Sequence, residues 1–349
     1  MTRHLYIHIP FCKSICTYCD FVRIKSTNHT LHKQYLDLIL NQIKQESTFN
    51  QYETIYIGGG TPNALSNINL NYLLQTLNLY LDKKGSYEFC IELNPELVTL
   101  KQIEILKKNN VNRVSLGVQT TNDQINLLLH RYSSMKDVNQ TIDWLRLNNI
   151  NNISCDFIYN LPLLKLKDLD NAFSFLCNKN IKHVSFYSLE LKEGAILTKQ
   201  NYKLNIDNEQ IQYEYINEHL AKLGYERYEV ASFCKEELYS KHNLAYWLNK
   251  DWKAIGCGAY GFENNTYYSY DKSILKLNKT TIKYNNKELY QHLLIMGLRT
   301  KFGLNLNSQR NYLAYKFFYE QIKDDVYIKN NHLIIKDINY LDDCLLKII

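Results

Sequence analysis

Six short runs rich in Val, Ile, Phe and Tyr recur along the first two-thirds of the chain: Leu5–Ile9, Thr54–Ile57, Glu88–Glu92, Arg113–Val118, Ile153–Ile158 and His183–Ser188. Segments of helical period lie between them. One places Tyr35, Leu36, Ile39, Leu40 and Ile43 on a single face, and others cover Leu70–Leu81, Leu100–Lys108, Val138–Leu147 and Leu166–Cys177. Asn122-Asp123 and Lys136-Asp137 read as helix starts. Six βα units in succession predict an α/β fold with a parallel sheet and right-handed crossovers. An open doubly wound sheet and a full or partial barrel both satisfy this pattern. Either architecture collects its chemistry at the C-terminal ends of the strands.

After Leu191 the pattern changes. Asn208–Leu223 reads as an amphipathic helix with Gly224 as its C-cap, Tyr228–Phe233 as one more strand, and Lys287–Leu298 as a helix. These shifts predict a boundary near Ser232, dividing the chain into residues 1–232 and 233–349.

At 349 residues and 45% hydrophobic content the chain is large enough for two units with real cores. The net charge of +6 is scattered, which speaks against nucleic acid and leaves acidic ligands acceptable. Nine cysteines, an odd number widely spaced beyond Cys19, do not form a disulfide framework. The first apolar run is too short for a signal peptide, and no uncharged run approaches membrane-spanning length. A reduced, cytoplasmic protein without a membrane span is expected.

The first predicted strand leads into Cys12-Lys13-Ser14-Ile15-Cys16-Thr17-Tyr18-Cys19. Iron–sulfur clusters are held by cysteine thiolates, usually four. Three in one loop, with no fourth nearby, suggest a cubane with one iron left open for a ligand. A zinc-stabilised binding protein is the alternative, but structural zinc wants four ligands, and no second C-x2-C or H-x3-H pair exists. Gly58-Gly59-Gly60-Thr61-Pro62 follows the second strand, where glycines let a ligand approach the backbone and meet its N–H and C=O groups. Glu92, Gln119 and Asp156 stand at successive strand ends, and Arg131 follows the next helix. A carboxylate there can accept from ribose hydroxyls, and an arginine can fork onto a ligand carboxylate.

The cysteine loop, the glycine turn, Arg113-Val114-Ser115-Leu116-Gly117-Val118-Gln119 and Asp156-Phe157-Ile158-Tyr159-Asn160-Leu161-Pro162 together resemble the radical S-adenosylmethionine (SAM) superfamily. Within it they resemble the anaerobic coproporphyrinogen III oxidase family, from Tyr6 through at least Arg299. The resemblance implies a partial (β/α)6 TIM-type barrel with a smaller C-terminal α+β domain. It implies a [4Fe–4S] cluster on Cys12, Cys16 and Cys19, with SAM on the open iron. Tyr6, Tyr18, Gly59, Gly60, Thr61, Glu92, Gln119, Arg131 and Asp156 match the SAM-contacting positions of that family.

Three features point to a branch. The oxidases usually carry a further cysteine two residues after the third, where this chain has Phe21. They also carry a long N-terminal extension, and here eleven residues precede Cys12. His242-Asn243-Leu244-Ala245-Tyr246-Trp247 matches the H-N-x-x-Y-W motif of HemW-type haem chaperones, in which the histidine is associated with haem. Imidazole is a standard axial haem ligand, and Tyr246 and Trp247 offer stacking surfaces. That branch implies haem as ligand and haem-acceptor proteins as partners, a membrane-associated acceptor included. It implies an electron donor for the cluster where SAM is cleaved. Oxidative decarboxylation of coproporphyrinogen III is the competing expectation. Asn160, Ser133 and Tyr260 stand where the family usually has Gly, His and His, and Cys257 is expected to be a buried small residue.

Overall fold

The computed structural model describes residues 2–349. The βα alternation is realised as β1 (His4–Ile9), α1 (His29–Glu46), β2 (Thr54–Gly59), α2 (Asn67–Leu77), β3 (Glu88–Leu93), α3 (Leu100–Lys108), β4 (Arg113–Gln119), α4 (Met135–Leu147), β5 (Asn152–Tyr159), α5 (Leu166–Asn178) and β6 (His183–Ser188). Strands β1 to β6 pair in sequence order and all run parallel. Helix α6 (Ile206–Lys222) ends at Gly224, whose φ of +78° is the left-handed stop expected of it. The next full strand, β7 (Ser232–Cys234), turns back antiparallel on β6. It is shorter and later than the predicted Tyr228–Phe233.

The chain then crosses to the other edge of the sheet. Helix α7 (Lys241–Trp247) precedes β8 (Trp252–Ile255), which pairs parallel with β1. Strands β9 (Tyr260–Glu263), β10 (Thr266–Tyr270) and β11 (Lys279–Lys283) extend that edge as an antiparallel wing. The result is one open twelve-stranded sheet, a partial barrel whose end strands do not meet. It runs across residue 232. Helix α8 (Asn286–Gly297) and the segments after it enclose a second small core, which includes Leu293, Leu298, Phe318, Leu333 and Leu345.

Each barrel strand alternates. Leu5, Ile7 and Ile9, Ile55 and Ile57, Phe89 and Ile91, and Val114 and Leu116 pack with the apolar faces of the helices in one core. From α1 that core takes Leu36, Ile39, Leu40 and Ile43, all fully buried, each contributing roughly 1.5–3 kcal/mol of transfer free energy. The intervening positions face the barrel interior and are polar: His4, Tyr6 and His8; Thr54 and Tyr56; Glu88 and Glu92; Arg113 and Ser115; Ser154 and Asp156; His183 and Ser185. Buried parallel strands usually read as continuous apolar runs. Here one face lines a polar lumen, so period-two alternation persists under full burial.

Candidate functional site

The two ends of the lumen differ. At the N-terminal ends of the strands, α7 is a plug. Glu88 accepts the backbone N–H of Lys241 at 3.0 Å and of His242 at 2.9 Å. Fully buried Arg113 lies 3.9 Å from the same carboxylate and donates to Asn152 at 2.8 Å. His183 is held between Ser154 and the hydroxyl of Tyr228, at 2.7 and 2.8 Å.

At the C-terminal ends the lumen opens into a cavity of about 370 Å³. Cys12, Cys16 and Cys19 line it, together with Tyr18, Gly59, Gly60, Thr61, Glu92, Gln119, Arg131 and Asp156. Tyr6 lies deeper, its hydroxyl 3.1 Å from His8 Nδ1 and its ring stacked on Tyr56.

The cysteine loop is pinned to its surroundings. Thr17 donates its N–H to Leu129 at 3.0 Å and accepts that of Leu197 at 2.9 Å, while Ser26 closes the loop onto Cys12 O at 3.0 Å. Arg23 donates to the carbonyls of Cys19 and Phe21. Burial raises the Cys12 thiol and pushes that of Cys19 up to about 12, with Arg23 the leading opposing influence on Cys19. Metal ligation requires thiolates, so a bound cation would have to overcome this burial cost. The residues fit a cubane cluster. The thiols share one cavity wall, Thr61 donates to Cys12 Sγ at 3.4 Å, and a Cβ on Gly60 would come within 3.0 Å of that sulfur. Among the described residues no three His, Cys, Asp or Glu side chains converge on a point to hold a single ion.

The glycine turn differs from its expected use. Gly59 donates its N–H to Glu92 at 3.1 Å, Gly60 to Ile9 O at 2.8 Å and Thr61 to Phe11 O at 2.9 Å. These donors hold the cysteine loop and Glu92 in place and are not an open N–H cradle. Glycine is required for approach: a Cβ on Gly58 would sit 2.7 Å from Glu92 Oε1.

Two carboxylates face the cavity. Glu92 accepts from Tyr56 at 2.9 Å as well as from Gly59, and burial pushes its pKa up to about 7, with Asp156 adding to the rise. Asp156 accepts from Ser115 at 2.6 Å, and burial raises it too. Gln119 ends β4 at a register shift, in the left-handed region at φ +67°. A bulge with a strained non-glycine residue at a cavity wall is a mark of function. Arg131 donates to Gly117 O and, at 3.3 Å, to Ser133. Ser133 thus partners the arginine in the position where the family has histidine.

Sequence reading missed Tyr56, Ser115, Arg23 and Tyr187, all of them on the cavity wall. The parity of the strands marks Tyr56, Ser115 and Tyr187 as lumen-facing once one lumen residue on each strand is known. Asn160 adopts φ +58°, which asparagine tolerates in place of glycine. Cys257 is a fully buried small residue whose N–H meets Tyr35 Oη at 3.1 Å.

His242 is not brought to the cavity. It lies in the plug at the opposite end, 0% exposed. Its Nδ1 is 2.7 Å from Thr54 Oγ1 and its Nε2 2.6 Å from Tyr246 Oη. Burial drives its pKa well below the usual histidine range, so it is neutral. The expected haem contact therefore falls on an imidazole with no uncommitted nitrogen.

The radical SAM superfamily matches residues 6–176. Over 348 residues the chain is 32% identical to the heme chaperone HemW of Lactococcus lactis subsp. lactis, covering 95% of this chain and 90% of that protein. The chain belongs to the HemW family. A second HemW, from Bacillus subtilis, is 34% identical over 274 residues, covering 75% of this chain and 71% of the relative. Among solved structures, the coproporphyrinogen III oxidase HemN of Escherichia coli superposes with a TM-score of 0.81 at 19% identity, covering 99% of this chain and 90% of HemN. That likeness establishes the partial-barrel fold with its C-terminal addition. Membership of the radical SAM superfamily implies a [4Fe–4S] cluster and SAM for a HemW-family chain. Among the described residues no helix is long and apolar enough to cross a membrane.

Proposed function

We propose that this protein binds haem and hands it to haem-dependent acceptor proteins, on a scaffold holding a [4Fe–4S] cluster with SAM above it. End-to-end similarity to relatives named heme chaperones carries the reading. Phe21 supports this branch. It stands where the oxidases usually have a further cysteine, and it is 62% exposed at the cavity rim.

In this reading Cys12, Cys16 and Cys19 hold the cluster. Arg131 pairs with the carboxylate of SAM, and Asp156 accepts from its ribose hydroxyls. Glu92 takes its cationic amino group, and Gly59, Gly60, Thr61, Gln119, Tyr18 and the deeper Tyr6 shape the remaining wall. The bound pair supplies one-electron radical chemistry when an electron donor reduces it. Residues 1–232 serve as the cofactor-bearing unit and 233–349 as its companion. We place the protein in the cytoplasm, where its nine thiols stay reduced.

The test is anaerobic reconstitution, iron and sulfide analysis, haem titration and haem transfer to an apo-haemoprotein. Haem binding and transfer without consumption of coproporphyrinogen III are expected. Anaerobic conversion of coproporphyrinogen would instead establish the oxidase reading, which the HemN-like fold alone favours. Zinc in place of iron and sulfide would remove the cluster.

A further inference from the structure

Tyr56 joins the plugged end of the barrel to the cavity. Its hydroxyl donates to Glu92 Oε1 at 2.9 Å. Its ring lies on the imidazole of His242, centroids 5.3 Å apart and planes 24° from parallel, and also stacks with Tyr6. His242 itself is fixed on three sides. Thr54 meets Nδ1, Tyr246 meets Nε2, and Glu88 accepts its backbone N–H at 2.9 Å. Thr54 Oγ1 is also 3.0 Å from His4 Nδ1. One run of donors satisfies every member: Tyr246 hydroxyl to His242, His242 Nδ1–H to Thr54, Thr54 hydroxyl to His4. Tyr246 is backed in turn by Trp252, centroids 4.8 Å apart.

An imidazole so held is poorly placed to leave for an iron and well placed to set a ring plane. We propose that His242 is a positioning residue for Glu92, acting through Tyr56, and that it thereby sets how tightly the cavity holds SAM. The proposal rests on the reading of the cavity as a SAM site. Glu92 has two hydrogen-bond donors in the structure, Tyr56 and Gly59. The Gly59 donor is backbone and stays. The Tyr56 donor is a side chain whose ring depends on what it stacks against.

The experiment is a double-mutant cycle on the full reconstituted chain under anaerobic conditions. SAM affinity is measured by calorimetry and by the SAM-dependent change in the electron paramagnetic resonance spectrum of the reduced cluster. Haem affinity and cluster content are measured alongside. Tyr56→Phe and His242→Ala are each expected to weaken SAM binding roughly tenfold at unchanged cluster content, the loss of about one buried hydrogen bond to a charged group. The double variant is expected to be no weaker than the worse single, because both act on one carboxylate. His242→Asn, which can still reach Thr54, is expected to recover part of the loss. Haem affinity stays at the wild-type level in all of them.

The proposal is overturned if His242→Ala binds SAM within twofold of wild type, or if the two effects multiply, or if the variant loses haem binding alone. Should His242→Ala not fold, the same cycle is run with His242→Leu, which fills the space without a planar ring or a bond to Thr54, and the same outcomes decide. A wild-type protein that binds no SAM refutes the cavity reading and this inference together. A wild-type protein that binds SAM, with indifferent variants, refutes the inference alone.

Discussion

The two ends of the lumen are built from the same kinds of residue and do opposite things. At the plugged end Glu88, Arg113, His242 and Thr54 are paired with one another or with α7, and His183 is bonded to Ser154 and Tyr228. At the open end Glu92, Asp156, Arg131 and three thiols are held in position around space. Buried polarity therefore does not by itself mark a site. A buried network that is fully paired rigidifies a fold, whereas groups oriented around a cavity are available to a ligand. Strain follows the same division at Gln119, the left-handed residue on the cavity wall.

The sharpest way to separate the ends is to disable each in turn. Cys12→Ala is expected to abolish the iron–sulfur absorbance on reconstitution while leaving the apoprotein's unfolding midpoint nearly unchanged. Glu88→Ala is expected to do the reverse. It strands buried Arg113 and two N–H groups of α7, at a cost of roughly 3–5 kcal/mol in urea unfolding. Cluster content per folded molecule stays constant.

The ends also respond to pH with opposite sign. Glu92 is raised from 4.5 to about 7, so the folded state holds more protons than the unfolded one between those values. Its contribution is fully present below pH 4.5 and is lost as pH rises through 7, roughly 3 kcal/mol in all. His183 and His242 are driven well below 6.5, chiefly by burial. Their contribution is present above pH 6.5 and is lost as pH falls. Unfolding free energies measured from pH 4.5 to 8 should show both limbs. Glu92→Gln removes the decline toward neutrality, and His183→Gln reduces the loss in acid. A Glu92→Gln curve that keeps the full decline would contradict the burial assigned to that carboxylate. The smallest effect belongs to Ser133→Ala. It removes one bond to Arg131, about 0.5–1.5 kcal/mol, and is expected to show as a few-fold weaker SAM affinity.

The parallel sheet and its crossover helices were legible in the sequence because apolar residues at fixed spacing report burial against helices. The antiparallel wing was not, because Thr266–Tyr270 and Lys279–Lys283 are short, the first burying Tyr268 and Tyr270 and the second exposed throughout, and their pairing is set by the tertiary edge they extend. The cavity residues were legible as strand ends. The use of the glycine-turn N–H groups was not, since it depends on how close the cysteine loop passes. His242 shows the same limit from the other side. Its motif is visible in the chain, but whether an imidazole is free or spent is a property of its neighbours. Thr54 and Glu88 stand 188 and 154 residues away from it.

Strand β1 carries the cysteine loop, and its two neighbours are β2 and β8. During synthesis β2 follows within about fifty residues, but the other edge stays bare until Trp252–Ile255 has emerged. The loop meant for the cluster is therefore attached, while the residues between β2 and β8 are being made, to a strand with an unpaired side. Contacts of such sequence separation form slowly. Every residue lining the cavity lies between Cys12 and Lys192, so the whole wall of the cluster pocket is synthesised before the strand that covers the far side of β1, and that strand braces a pocket already spelled out in the chain.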